Sequence, residues 1–75
     1  MNRNLNERID VQKKFDEASA TVTYIGEAEP GASATLAVWR IYKFTTTGSI
    51  TDKQWASGTT DYNKIWNDRA SYTYS

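Results

Sequence analysis

The sequence predicts a small, mainly β domain of the α+β kind: an antiparallel sheet of about four to five short strands, one short C-terminal helix near residues 60–69, and an extended N-terminal arm over residues 1–10. Three observations carry that expectation. The runs Thr21-Val22-Thr23-Tyr24-Ile25 and Leu36-Ala37-Val38-Trp39-Arg40-Ile41-Tyr42-Lys43-Phe44 are β-branched or aromatic almost throughout, a composition suited to a pleated, half-buried surface. Clusters of Gly, Pro, Ser and Thr punctuate them near 26–34, 45–49 and 57–60, where turns are made. Helical periodicity is strongest late in the chain, with Tyr62, Ile65, Trp66 and Arg69 at i, i+3, i+4 and i+7.

Residues 1–7 hold three Asn, Arg3, Glu7 and one useful apolar side chain, Leu5, too little to order an arm against its own domain. Over 9–16 two readings stay open. Ile9, Val11, Lys13 and Phe15 alternate with Asp10, Gln12, Lys14 and Asp16, as in a strand; Leu5 with Ile9 and Val11 with Phe15 are instead helical i, i+4 pairs. The strand reading leaves Glu17-Ala18-Ser19-Ala20 as a turn into the stronger strand after it. Gly26 is expected to stop that second strand. Pro30-Gly31 suits the central pair of a type II turn, inside a loop that faces solvent or a partner.

In the longest strand Leu36, Val38, Tyr42 and Phe44 share one face and Ala37, Trp39 and Ile41 the other. A strand apolar on both faces is usually central and covered twice, and in so small a protein another subunit is one source of cover. Residues 45–49 read as a hairpin turn and 50–56 as the return strand. Ile50 and Trp55 have opposite parity, so a bulge near Asp52-Lys53 is expected to bring both inward. Thr59 or Thr60 is placed to cap the helix, with Asp61 in its first turn, and Lys64 with Asp68 to pair on its outer face. A helix this short needs packing to persist, and Trp66 is its anchor. Residues 71–75 alternate as a terminal strand with Tyr72 and Tyr74 on one face. The expected core is Trp39, Ile41, Trp55, Tyr62 and Trp66, the three Trp forming one cluster.

Seventy-five residues allow one domain, assigned to 11–75, with a core that stabilises only weakly. Dense aromatic packing and oligomerisation are the available supports, because the chain has no Cys for disulfides and no Cys or His for a zinc site. The same absence removes the commonest catalytic bases and thiol nucleophiles. Glu27 with Glu29, and Asp61 with Asp68, read as solvated acids. Asp61-Tyr62-Asn63 begins like a calcium loop but lacks the Gly and Glu that the loop requires further on. No catalytic, cofactor or metal site is therefore expected. Nine basic and nine acidic residues cancel, which gives no footprint for nucleic acid or an anionic membrane. No stretch reaches bilayer-spanning length and the first residues lack an apolar leader core, so synthesis in a cytoplasm is the expectation.

Four motifs act in combination: Tyr24-Ile25-Gly26-Glu27-Ala28-Glu29-Pro30-Gly31, Val38-Trp39-Arg40-Ile41, Trp55-Ala56-Ser57-Gly58, and Trp66-Asn67-Asp68-Arg69-Ala70-Ser71-Tyr72-Thr73-Tyr74. From Val11 to the end, this pattern (YxGxAxPG, VWxI, WAxG, WxxRASxxY) resembles short virion-associated structural proteins of tailed bacteriophages. The resemblance implies a location in the virus particle, synthesis in the bacterial host, and a non-enzymatic structural role. Its favoured form is a capsid cement or decoration protein bound to major capsid or tail proteins, homo-oligomeric and in one form trimeric. The alternatives are a tail, neck or baseplate component that anchors a fibre, or a small phage-encoded module that binds a host protein. Candidate interface residues are Leu5, Ile9, Pro30, Gly31, Arg69, Tyr72 and Tyr74, with Arg69 able to pair within the domain or across a subunit contact. Attachment is expected through the arm and exposed strand edges.

Overall fold

In the computed structural model, which describes residues 11–75, the alternating segment after Val11 is a strand. Leu5, Ile9 and the proposed arm lie outside the described residues. Strands β1 (Gln12–Glu17), β2 (Val22–Ala28), β3 (Ala37–Thr47) and β4 (Ile50–Trp55) form an antiparallel meander in chain order. A short β5 (Lys64–Ile65) pairs with the beginning of β3, a stretch that β4 does not reach. Backbone groups there would otherwise go unpaired.

Gly26 does not end β2, which runs on to Ala28. A Cβ at this position would lie 2.5 and 2.8 Å from the Trp66 ring and 3.1 Å from that of Trp39, so the glycine is where the strand admits an indole against its backbone. The loop after β2 turns at Pro30-Gly31, with Ala32 N–H donating to Glu29 O at 3.1 Å and Gly31 at φ 88°, as a type II turn requires. β3 and β4 meet in a two-residue loop, Gly48-Ser49, with Thr47 facing Ile50. Their ladder is regular from Tyr42↔Trp55 to Thr47↔Ile50. The expected bulge near Asp52-Lys53 is absent, and Ile50 is left 62% exposed.

One face of the sheet is packed. Ala28, Trp39, Ile41, Ala56 and Trp66 form its core, lined by Tyr24, Ala32, Ala34, Tyr72 and Tyr74. Trp39 and Ile41 are fully enclosed, and the two indoles stand 6.0 Å apart. Trp39 also donates its Nε1–H to Ser33 O at 2.9 Å, which leaves no polar atom of the buried ring unpaired. Two expected core members are corrected. Trp55 faces Tyr42 across the ladder and so lies on the opposite side of the sheet from Trp39; strand parity forbids a single cluster of the three Trp. Tyr62 is 47% exposed.

The C-terminal helix is a 3-10 helix over Trp66–Ser71, later and tighter than the two-turn helix expected near residues 60–69. Pairing of Lys64 with Trp39 and of Ile65 with Ala37 draws the preceding residues into extended backbone, so Tyr62 and Ile65 never join a helical stripe. The helix has no side-chain cap; Thr59 Oγ1 instead accepts from Asp61 N–H at 2.8 Å in the loop before it. Lys64 is buried and donates to Asn63 Oδ1, not to Asp68. The expected terminal strand shrinks to a bridge, Ala56↔Tyr74, flanked by bonds from Trp55 and Ser57 to residues 73–75. Among the described residues no helix is long and apolar enough to cross a membrane.

Tyr74 seals the lower edge of the core, donating from its hydroxyl to Arg69 O at 2.7 Å. Burial, then the neighbouring Tyr24 and Tyr72, push its pKa well above the ordinary value, against the opposing charge of Arg69. A phenol raised in the folded state contributes stability that is intact below about pH 10 and lost as pH rises further. In a titration followed at 295 nm, part of the tyrosinate signal is expected to lag beyond the ordinary range, and Tyr74→Phe to remove much of that lag. A single ordinary titration of all five tyrosines would contradict this packing.

Candidate protein-docking face

The register of the meander sorts side chains on the open side of the sheet into rows, because facing residues of an antiparallel pair share a face. Phe15, Ile25, Tyr42 and Trp55 make an apolar row across β1 to β4. Lys13, Glu27 and Arg40 form a charged row on one side of it, and Glu17, Thr23, Phe44 and Lys53 a mixed row on the other.

Glu27 is the centre of the charged row. It is only 5% exposed. Its Oε2 accepts from Lys13 Nζ at 2.7 Å and from the Tyr42 hydroxyl at 3.1 Å, while Oε1 accepts from Arg40 Nε at 3.1 Å and from Arg40 Nη2. Burial by itself pushes this carboxyl up. The bonds from Lys13 and Arg40, the Arg40 charge and the Tyr42 hydroxyl outweigh it and hold the pKa at about 2. The same contacts push the Lys13 and Arg40 values up, against the desolvation that lowers each. Glu27 is thus not a solvated loop acid but the ionised hub of three strands. The signal for it lay in the alternation Thr23, Ile25, Glu27, which becomes visible once β2 is allowed to pass through Gly26.

Cations also cap the aromatic row. Lys53 Nζ sits 4.4 Å from the Tyr42 ring centre and 4.7 Å from that of Trp55, whose rings are 4.8 Å apart. Arg40 lies 5.4 Å from the Trp55 ring and 4.9 Å from that of Tyr62. Such contacts keep the flat aromatic surfaces in place while covering them with charge. Tyr42 meets Phe44 edge-on at 5.8 Å.

Beyond the charged row the face opens into a groove of about 720 Å3, whose walls include Val11, Pro30, Gly31, Leu36, Val38 and Tyr62. Among the described residues, four of the five exposed large hydrophobic side chains, Phe15, Leu36, Val38 and Tyr62, belong to this face or its groove; Ile50 is the exception. Pro30 and Gly31 are therefore at a candidate surface. Arg69, Tyr72 and Tyr74 lie instead on the packed side of the sheet. Arg69 pairs with Asp16 at 2.9 Å and lies 4.5 Å over the Trp66 ring, Tyr72 accepts from Ile65 N–H at 2.8 Å, and Tyr74 holds Arg69 O. Their polar atoms are used within the domain to hold the helix to the sheet, while each side chain stays partly exposed. The sequence does not mark Phe15, Leu36 and Val38 as exposed, because their alternation assigns them to an apolar face that reads as core.

Among the described residues no three acidic side chains gather where a metal ion could be held. No protein-family model matches the chain, and no curated protein or solved structure matches it.

Proposed function

We infer that the protein is a non-enzymatic docking module of a bacteriophage particle, bound to other virion proteins through its open sheet face and stabilising the shell as a cement or decoration protein. The observation that carries the docking role is that, among the described residues, four of the five exposed large hydrophobic side chains gather on one face and its groove. Apolar surface concentrated in this way, rimmed by charge, marks protein contact sites. The fixed Lys13-Glu27-Arg40 row supplies a rigid, charge-satisfied base. The particle setting rests on the four-motif resemblance, whose residues Gly26, Ala28, Trp39, Ile41, Ala56 and Trp66 also build the packed side.

Copy number in purified particles tests the setting. Hundreds of copies support a shell component, a dozen or fewer support a neck or baseplate component, and absence from particles overturns the reading. For the face itself, Leu36→Asp and Val38→Asp are each expected to weaken binding to particles by about tenfold or more while leaving the fold intact. Ile50→Asp, with similar exposure but outside the face, is expected to change nothing. Equal effects at all three positions would sink the assignment of this face.

A further inference from the structure

We propose that the protein pairs with a second copy of itself, edge to edge, through β1. This strand is the rim of the sheet, and among the described residues nothing pairs with its outer side. Unpaired edges are templates for another strand, and edge charges ordinarily discourage that. Here their order does the opposite. Lys13-Lys14-Phe15-Asp16-Glu17 is complementary to itself when reversed about Phe15.

In a two-fold antiparallel pair centred on Phe15, Lys13 of each copy faces Glu17 of the other, and Lys14 faces Asp16. Symmetry makes each contact twice. The neighbouring two-fold registers, centred on Lys14 or on Asp16, set like charges face to face, so the pattern selects one register. The side chains are available for it. Phe15 is 65% exposed, Glu17 is exposed, and the side chains of Lys13 and Asp16 keep 45% and 33% of their surface open beside their bonds to Glu27 and Arg69. Paired Phe15 rings would cover each other and join the two Phe15-Ile25-Tyr42-Trp55 rows into one across a continuous eight-stranded sheet. Both docking grooves would then lie on the same side of that sheet. This pairing goes beyond the docking reading and does not depend on it, since it involves β1 alone and needs no particle.

The chain contains no cysteine, so single-cysteine variants report register cleanly. Facing residues sit about 4.5–5.5 Å apart at Cβ, close enough for a disulfide after small adjustment. Phe15→Cys is expected to form a covalent dimer under mild oxidation. Glu17→Cys alone is expected not to, whereas a mixture of Glu17→Cys and Lys13→Cys chains is expected to cross-link. In sedimentation equilibrium the full chain is expected to dimerise, with Glu17→Lys and Phe15→Lys each weakening the dimer about tenfold or more and leaving circular dichroism unchanged. Leu36→Asp and Val38→Asp, which test the docking face, are expected to leave the dimer intact. A full chain that sediments as a monomer at every concentration reached overturns the proposal. So does a dimer that keeps its affinity in both β1 variants, or Glu17→Cys cross-linking to itself more readily than Phe15→Cys.

Discussion

Trp66→Ala is expected to lose about 3–5 kcal/mol, the range for removing a large aromatic side chain from a core. That is a large part of the 5–15 kcal/mol by which folded proteins are ordinarily stable. Trp66 packs on the fully buried Trp39 and on the bare backbone at Gly26, so its loss empties the contact that joins the helix to the sheet. The complementary change, Gly26→Ala, drives a methyl group to 2.5 Å from the same ring and is expected to cost about 2–3 kcal/mol by overpacking. The two losses share one cause and are therefore not additive. Thermal and urea unfolding of the double variant should show Gly26→Ala costing little once Trp66 is gone. If the two costs simply add, the glycine is not the seat of the indole.

Glu27→Gln is expected to lower stability at neutral pH by about 2–3 kcal/mol. It falls short of a wholly buried pair because Lys13 and Arg40 are partly exposed and can be solvated again. Its pH dependence is the sharper test. The folded carboxyl is held at about 2 against an ordinary 4.5, so its contribution is fully present above the unfolded value and is lost as pH falls through the folded one. The gap between those two values corresponds to on the order of 3 kcal/mol. Wild-type stability should therefore fall between about pH 5 and pH 2, and Glu27→Gln should lack that component. Parallel acid-unfolding profiles for the two proteins would mean that the row is not the hub its geometry describes. Because Glu27 orients Lys13 and Arg40 beside the groove, the same substitution is expected to weaken docking as well.

What the sequence by itself determined was local. Alternation, β-branched runs and turn chemistry place β2, β3 and β4, the Pro30-Gly31 turn and the burial of Trp39 and Ile41, all set by neighbours in the chain, whereas residues 9–16 suit a strand or a helix until pairing with β2 makes β1. Whether an apolar face is covered is not a local property. Both faces of β3 carry aromatic side chains, yet one receives the helix and the C-terminal residues, while on the other Ile25 and Tyr42 are buried and Phe15 and Val38 stay exposed. Trp55 and Tyr62 therefore belong to a different surface from Trp39. Gly26 looks like a strand terminator in the sequence and becomes a seat for Trp66 only when residues 40 positions apart are brought together. Glu27 looks solvated until β1 and β3 flank it and supply the cations that keep it charged. The helix start was likewise decided by β3, whose unpaired first residues claim Lys64 and Ile65 as a strand. In each case the sequence states a residue's own preference, whereas the free energy of a buried charge, a close backbone approach or an unpaired peptide group depends on what the fold sets beside it.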